Sequence, residues 1–216
     1  MPDQSRIFIV DDHPVFRKGL AQLINEESDL MVCGEAEDVT EARRALEKNK
    51  PDMVIVDITL KDKSGLDLIR FLRDNHGDIP VLVVSMHEES LYGVRAMKAG
   101  ARGYIMKAEM TENVIQAIRQ VLSGKIYASH DMISSLMGML GRKAVTSSDP
   151  VQSLSDRELE VFQLIGKGYG RKEIAEILGV SVKTVGSYRE YIKRKLNVKN
   201  SPELVKHAIR WTGNPE

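Results

Sequence analysis

Residues Ile7 to His13 read IFIVDDH, and this short stretch decides the fold that the sequence predicts. Its first four residues are apolar and mostly β-branched, which indicates a strand that is covered on both faces. The strand ends in two adjacent carboxylates, Asp11 and Asp12. Like charges repel each other at this spacing, and the end of an apolar strand solvates them poorly. We therefore expect another charged group to compensate for the repulsion.

The same kind of apolar run returns four times and alternates with helical periodicity. The further predicted strands are LMVC (30–33), MVIV (53–56), VLVV (81–84) and YIM (104–106). The helical patterns cover residues 15–24, 40–46, 66–72, 91–97 and 114–122. This alternation predicts an α/β fold, a doubly wound five-stranded parallel sheet with right-handed crossovers and helices on both faces. In such sheets, ligands bind beyond the carboxyl ends of the strands.

Polar side chains follow four of the predicted strands at that edge. They are Asp11 and Asp12 after the first strand, Asp57 after the third, Ser85 after the fourth and Lys107 after the fifth. A divalent cation would offset the repulsion among three carboxylates. Mg²⁺ suits this role because it binds a few carboxylates and keeps waters that a phosphate can replace. The alternative for Asp12, that it only favours the start of a helix near Pro14, explains none of the other residues.

Length and composition favour two globular domains. The chain has 216 residues, of which 42% are hydrophobic and 29% are charged. Its one cysteine, Cys33, excludes an intramolecular disulfide and is expected to be a small core residue. No apolar stretch approaches the roughly 20 residues that cross a bilayer, and the N-terminus lacks the pattern of a signal peptide. These features predict a cytoplasmic protein without a membrane partner.

The last third of the chain differs in pattern and in charge. Residues 131–143 suggest a helical extension, and AVTSSDPVQS (144–153) has the composition of a flexible tether. The capping pattern Ser155-x-x-Glu158 then begins a helical domain. Residues 151–216 contain 12 Lys and Arg against 8 Asp and Glu, whereas the remaining 19 and 23 make residues 1–150 acidic. A solvated surface explains this excess about as well as a nucleic-acid partner does.

Two helices around a tight turn are predicted between Arg171 and Leu196. The first ends at Gly179, a residue suited to the left-handed end of a helix, and its apolar face consists of Ile174, Ala175 and Leu178. The second starts near Ser181, and its predicted buried stripe consists of Val182, Val185, Ile192 and Leu196. Its opposite face consists of Lys183, Gly186, Ser187, Glu190 and Arg194. This is the layout of a helix-turn-helix, whose second helix enters the major groove of DNA.

The strand-end residues, with one further aromatic residue, resemble the receiver domain of bacterial two-component response regulators over about residues 5–123. The matching residues are Asp11, Asp12, Asp57, Ser85, Tyr104 and Lys107. The resemblance implies a flavodoxin-like sheet in the order 2-1-3-4-5. It also implies that Asp57 accepts a phosphoryl group from a sensor histidine kinase. Asp12 and Asp57 would bind Mg²⁺ directly, Asp11 mostly through water and Thr59 through its backbone carbonyl, with Mn²⁺ as an alternative ion.

The same resemblance implies roles for Lys107, Ser85 and Tyr104. Lys107 would neutralise charge on the phosphoryl oxygens. The Ser85 hydroxyl would bond to those oxygens and draw its loop inward, after which Tyr104 would rotate in; the alternative is that Tyr104 is an ordinary strand residue. Two residues depart from the receiver pattern, Lys61 where many receivers have Pro and Met86 where a small residue is usual. We expect them to change phosphorylation rates without removing the ability to be phosphorylated.

Residues from about 151 to 212 resemble the LuxR-type DNA-binding domain, so the chain is similar to response regulators of the NarL/LuxR (FixJ) class. The implied division is a receiver at 5–123, a helical extension and linker at 124–150 and the helix-turn-helix domain at 151–216. The base-facing positions of the family carry over as Lys183, Gly186, Ser187 and Glu190. The candidates for phosphate contact or helix positioning are Lys172, Thr184, Tyr188, Arg189 and Lys193.

Two features of this domain have alternative explanations. Glu190 either accepts a hydrogen bond from a cytosine amino group, with Gly186 permitting close approach, or pairs with Arg194 along the helix. In the closing helix, Leu204 and Ala208 either help to pair two DNA-binding domains or close the core of their own domain.

The sequence therefore predicts a DNA-binding transcriptional regulator that phosphorylation of Asp57 activates, with a homodimer on paired half-sites of double-stranded DNA. We expect no enzymatic activity beyond Mg²⁺-dependent phosphorylation and dephosphorylation of the chain itself. One rival is an aspartyl-phosphate phosphatase, but Thr59 stands where that chemistry generally uses a second Asp. The other is a signalling adaptor whose C-terminal helices bind only protein.

Overall fold

The computed structural model of the protein describes residues 4–60, 63–141 and 150–213. These residues form two compact units, one ending with the helix His130–Gly141 and one beginning at Pro150. Within these ranges, every helix is too short or too polar to span a lipid bilayer. Lys61 and most of the predicted tether at 144–153 lie outside the described residues. The last four residues of the tether, Pro150–Ser153, form a 3-10 turn.

Five strands form the centre of the first unit: β1 (Ser5–Val10), β2 (Leu30–Ala36), β3 (Met53–Val56), β4 (Val81–Ser85) and β5 (Gly103–Met106). They pair in parallel in the order β2-β1-β3-β4-β5, which confirms the predicted fold class. Within β1, Ile7 to Val10 are fully buried, as expected of a strand covered on both faces. The edge strand β2 is less covered, so Cys33 is half-buried and the prediction that it is a core residue was wrong.

The register of the central strands positions the acidic residues. Ile7 of β1 pairs with Met53 of β3, and this register continues to Val10 and Val56. Because the next residues along the two strands leave the sheet side by side, Asp11 and Asp57 become neighbours although 46 positions separate them in the sequence. The parallel arrangement therefore assembles the predicted site at one edge of the sheet.

Five helices flank this sheet: α1 (Pro14–Asn25), α2 (Val39–Asn49), α3 (Gly65–Asn75), α4 (Glu89–Ala99) and α5 (Met110–Leu122). Each one contains a predicted helical stretch and extends it. Proline at the first position of α1 fits because the missing N–H would have no helical partner there. The predicted helical extension is also present, as α6 (His130–Gly141), and it packs against α4 within the first unit.

Four helices make up the second unit: α7 (Asp156–Gly166), α8 (Arg171–Ile177), α9 (Val182–Lys195) and α10 (Ser201–Thr212). The predicted capping box at Ser155 and Glu158 begins α7, and Lys195 at the end of α9 lies 2.6 Å from the Glu158 carboxylate. Burial opposes the charged form of Glu158, but hydrogen bonds from Lys195 and Ser155 outweigh it and hold its pKa below the usual value. The Glu158 side chain thus both caps α7 and connects it to α9.

The turn between α8 and α9 has the predicted geometry. Gly179 has a φ of +62°, and the Ser181 side chain accepts a hydrogen bond from the Thr184 N–H at the start of α9. Val185 and Ile192 are fully buried, as predicted for the stripe of α9. Val182 is 45% exposed, so its assignment to the stripe was wrong. It is the first residue of α9 and lies in the exposed first turn, outside the core that the later turns bury.

Gly65 should not tolerate a side chain, because a Cβ there would overlap the carbonyl oxygen of Asp57. We expect Gly65→Ala to lower the free energy of unfolding by about 1–3 kcal/mol, measured by urea unfolding followed by circular dichroism. The matched control is Gly19→Ala within α1, where an added Cβ meets no atom within 4 Å. This control should raise stability by about 0.5–1 kcal/mol. Equal stabilities for the two variants would contradict the close approach of α3 to Asp57.

Candidate functional site

Three charged residues at the ends of β1, β3 and β5 form the centre of the site. The Lys107 ammonium lies 2.6 Å from Asp11 Oδ2 and 2.7 Å from Asp57 Oδ2. Asp11 is 2% exposed and Asp57 is 3% exposed, so both ion pairs are shielded from water. Charge pairs in such surroundings are screened little by salt. The structure therefore brings together three of the residues that the sequence predicted to share a pocket.

Burial and charge act in opposite directions on these groups. Burial raises the pKa of Asp57, while Lys107 opposes that rise and Asp11 adds to it. Burial also raises the pKa of Asp12, which His13 partly counteracts. For Lys107, burial alone would lower the pKa, but the two carboxylates outweigh it and raise the pKa. The site as a whole holds more negative charge than one lysine neutralises.

A metal ion fits the remaining charge. Asp11, Asp12, His13 and Asp57 each provide one ligand atom, and these atoms lie within 4.8 Å of one another. Three of the four are carboxylate oxygens, the ligands that Mg²⁺ prefers. His13, to which the sequence pattern assigned no role, has its Nδ1 at 2.7 Å from Asp12 Oδ1 and 3.3 Å from Asp11 Oδ1. Its position directly after the two acids in IFIVDDH was the signal that could have identified it.

The loops after β3 and β4 meet beside Asp57. The Thr59 N–H donates to Asp57 Oδ1 at 3.4 Å, and Thr59 Oγ1 lies 2.8 Å from His87 Nε2. The His87 N–H in turn donates to Ser85 Oγ at 3.3 Å. His87 was also missed, and the sequence held no signal for it, because its contact with Thr59 depends on how two loops cross in space. This chain of contacts connects the Asp57 carboxylate to the fully buried Ser85.

Tyr104 already points into the protein. Its side chain is buried, and its hydroxyl donates a hydrogen bond of 2.8 Å to the His87 carbonyl. Burial raises the pKa of Tyr104, so the hydroxyl keeps its proton and remains a donor. The expectation that Tyr104 rotates in only after phosphorylation does not describe this structure, because the hydrogen bond to His87 holds it inward. Met86, in the same loop, is 75% exposed.

The second candidate surface is the outer face of α9. Lys183, Ser187 and Glu190 are exposed there, as is Lys172 on α8. Gly186 lies among them, and an added Cβ would meet no atom within 4 Å. Thr184, Tyr188 and Lys193 are half-buried along the flanks of the helix. The residues predicted to face bases thus share one open helix face.

The surroundings of two charged residues of α9, Glu190 and Arg189, bear on their predicted roles. The Glu190 carboxylate pairs with Lys193 at 2.9 Å, whereas the Arg194 guanidinium lies 4.8 Å from the centre of the Tyr191 ring. Glu190 therefore pairs along the helix as one alternative predicted, but with Lys193 instead of Arg194. Arg189 is 8% exposed. Its burial, and to a smaller extent repulsion from Arg171, lowers its pKa. This burial favours helix positioning over phosphate contact for Arg189.

The closing helix α10 supports the core of its own domain. Leu204 and Ala208 are fully buried, which settles their role in favour of core packing. The Trp211 ring lies 5.6 Å from that of Phe162 on α7. Val205 and Ile209 are only half-buried and retain surface.

Fold and site together define a receiver-like α/β unit followed by a helix-turn-helix unit, and comparison with known proteins agrees. Residues 7–119 match the response regulator receiver domain, and residues 152–208 match the luxR family of bacterial regulatory proteins. The oxygen regulatory protein NreC of Staphylococcus epidermidis is 38% identical over 211 residues, which cover 95% of this chain and 97% of that protein.

Solved structures show the same relationship. A LuxR-family two-component response regulator from Aurantimonas sp. SI85-9A1 is 33% identical with a TM-score of 0.59. The match covers 65% of this chain and 100% of the chain in that structure. ChrA, a response regulator of a heme-sensing two-component system, is 27% identical with a TM-score of 0.52 over 98% of this chain and 99% of that one. The chain belongs to the response regulators that join a receiver domain to a LuxR-type DNA-binding domain. It is a phosphorylation-regulated transcription regulator.

Removing the positive charge of Lys107 should destabilise the first unit strongly, since it leaves two buried carboxylates without their partner. We expect Lys107→Met to lose about 3–5 kcal/mol at neutral pH in urea unfolding with EDTA. Lys48→Met on the exposed surface of α2 is the control and should change stability by less than about 0.5 kcal/mol.

The stability that Lys107→Met loses should increase as the pH rises. The pKa of Asp57 is raised in the folded protein, so its contribution to stability is present at low pH and declines as pH rises through that pKa. Lys107→Met raises this pKa further, so the variant should lose more stability at pH 8 than at pH 5. A loss that is independent of pH would show that Lys107 acts by packing rather than by charge.

Proposed function

We propose that Asp57 is the phosphoryl acceptor of this response regulator. The observation that carries the proposal is the contact of its buried carboxylate with Lys107 on one oxygen and with the Thr59 N–H on the other. Both donors would remain beside the phosphoryl group after transfer. Positive and hydrogen-bonding groups placed where charge develops are the main requirement of phosphoryl transfer.

The transfer would use a carboxylate oxygen of Asp57 as the nucleophile. This oxygen attacks the phosphorus of a phosphohistidine on the sensor kinase, the phosphorus–nitrogen bond breaks, and its electron pair stays on the kinase imidazole. Lys107 neutralises charge on the phosphoryl oxygens during this step. Water can later attack the same phosphorus, which breaks its bond to the Asp57 oxygen, releases inorganic phosphate and returns Asp57 as the free carboxylate. This phosphorylation and dephosphorylation of its own chain is the only enzymatic chemistry that we propose.

Asp11, Asp12 and Asp57 would hold Mg²⁺, together with the backbone carbonyl of Thr59, and Mn²⁺ is an alternative ion. The three carboxylates converge as a hard, divalent ion requires. The ion would supply positive charge to the phosphoryl oxygens in addition to that of the Lys107 ammonium.

Ser85 and Tyr104 would report the phosphorylated state. Ser85 Oγ accepts a hydrogen bond from the His87 N–H, and its own hydroxyl proton can turn to a phosphoryl oxygen on Asp57. Any movement of this loop displaces the His87 carbonyl, to which the Tyr104 hydroxyl is bonded. Phosphorylation would thus shift the population of two loop arrangements rather than create a new fold.

The phosphoryl group should become attached to Asp57 and to no other acidic residue. With acetyl phosphate and Mg²⁺, the wild-type chain should gain one phosphate by intact mass spectrometry, whereas Asp57→Asn should gain none because an amide is not a nucleophile here. Asp67→Asn is the control, since Asp67 is exposed at the start of α3 and pairs with Arg70 one helical turn away. Full phosphorylation of the Asp57 variant would rule out this assignment.

The second unit would bind double-stranded DNA with α9 in the major groove. Lys183, Gly186, Ser187 and Glu190 would face the bases, while Lys172, Thr184, Tyr188 and Lys193 would contact phosphates or position the helix. We propose that phosphorylation promotes a homodimer on two half-sites. Because Leu204 and Ala208 are core residues, pairing through α10 would use Val205 and Ile209. A cytoplasmic location and the lack of a membrane partner stay predictions from the sequence.

Gly186→Ala should separate folding from DNA binding. Alanine in place of glycine within a helix, with open space around the new methyl group, should stabilise the unit by about 0.5–1 kcal/mol. We expect affinity for a duplex selected by the wild-type protein to fall by about tenfold, because the methyl group meets the base edges. Gly19→Ala, in the other unit, should leave affinity unchanged. If the wild-type protein selects no duplex from a random-sequence pool, the result would favour the rival hypothesis of a signalling adaptor whose C-terminal helices bind only protein.

A further inference from the structure

Residues 125–141, which we name the strap, extend the sheet beyond β5. The Tyr127 N–H donates to the Arg102 carbonyl at 3.0 Å, and the Tyr104 N–H donates to the Tyr127 carbonyl at 3.0 Å. Tyr127 thereby forms a parallel bridge with Gly103. These bonds cover an edge of β5 that would otherwise present unpaired backbone groups.

The strap is then fastened to α4. The Ser129 N–H donates to the Glu89 carboxylate at 3.0 Å, and Ser129 Oγ accepts from the Met132 N–H at the start of α6. Met132 is 4% exposed and packs on Gly93, where an added Cβ would overlap its sulfur. The close approach of α6 to α4 therefore depends on the absence of a side chain at position 93.

The described side chains of α6 bury little apolar surface. Met132 is the only buried residue among the α6 side chains that the structure describes, while Ile133 and Met137 are 37% and 68% exposed. A groove of about 530 Å³, whose lining includes Tyr104, Tyr127 and three glutamates, lies beside these attachments. Elements with few buried apolar contacts open at low cost in free energy.

Both attachment points border the acceptor site. Tyr104 bonds to the His87 carbonyl through its side chain and to the strap through its backbone. Glu89 begins α4 directly after the loop that contains His87. A shift of this loop toward a phosphoryl group would therefore displace both supports of the strap together.

We propose that the strap is a restraint that phosphorylation releases. In the unphosphorylated state, it fixes α6, the last described element before the DNA-binding unit, to α4 and β5. Movement of the His87 loop weakens the bonds to Tyr104 and Glu89, α6 separates from α4, and the second unit gains freedom to bind DNA. This inference rests on the proposed function, because phosphorylation of Asp57 starts the movement.

Hydrogen exchange with mass spectrometry on the full chain tests each step. Mg²⁺ with beryllofluoride, as the phosphoryl mimic, should slow exchange in the loop after Asp57 and speed exchange about tenfold over residues 125–141. Gly93→Ala should speed exchange over the strap without beryllofluoride, because the new methyl group displaces Met132. Gly138→Ala on the open side of α6 is the matched control, and it should neither displace Met132 nor speed exchange over the strap.

Fluorescence anisotropy with the selected duplex gives the functional readout. Unphosphorylated Gly93→Ala should bind several-fold more tightly than the wild-type protein, and beryllofluoride should add little further affinity. Met132→Ala should act in the same direction, and it cannot overpack the receiver because it only removes atoms. A loosened strap with unchanged DNA affinity would overturn the inference, as would protection of the acceptor loop by beryllofluoride with no change in the strap. If beryllofluoride does not slow hydrogen exchange in the loop after Asp57, the proposed function is overturned instead. In that case, tighter DNA binding by Gly93→Ala would still support the strap as a restraint.

Discussion

The ion pairs of Lys107 with Asp11 and Asp57 are the interaction on which the site depends. Two buried carboxylates at the ends of neighbouring strands would each be costly without a partner, and the ammonium of the residue directly after β5 serves both. The parallel register of β1 and β3 creates this need, because it places Asp11 and Asp57 side by side. The chemistry of the protein is thus a consequence of how its sheet is paired.

The loop after β4 extends this chemistry beyond the site. His87 contacts Thr59 through its ring, Ser85 through its N–H and Tyr104 through its carbonyl. Its ring also lies 4.3 Å from that of Tyr92 on α4. One residue therefore connects the surroundings of the acceptor to β5 and α4. Such a connection explains physically how a change of charge at Asp57 can reach elements that never touch the phosphoryl group.

The sequence predicted most of the fold because its signals were local. Apolar runs of three or four residues identified the strands, and Ser155-x-x-Glu158 and Gly179 identified a helix start and a helix end. The errors came where burial depends on neighbours that are distant in the chain. Cys33 lies on an edge strand and Val182 in an exposed first turn, and neither position can be recognised from the composition of its own segment.

By itself, the sequence determined that Asp11, Asp57 and Lys107 meet at the acidic edge, because a parallel sheet must bring its strand ends together, but it identified neither His13 nor His87. Only the tertiary structure decided how those groups are used. It paired Glu190 with Lys193 rather than Arg194, held Tyr104 inward on His87 and fastened residues 125–141 to β5 and α4. Each of these depends on rotamers and loop paths that packing selects from several local alternatives. A sequence pattern fixes the period and polarity of an element, whereas contacts between elements fix the direction of a side chain.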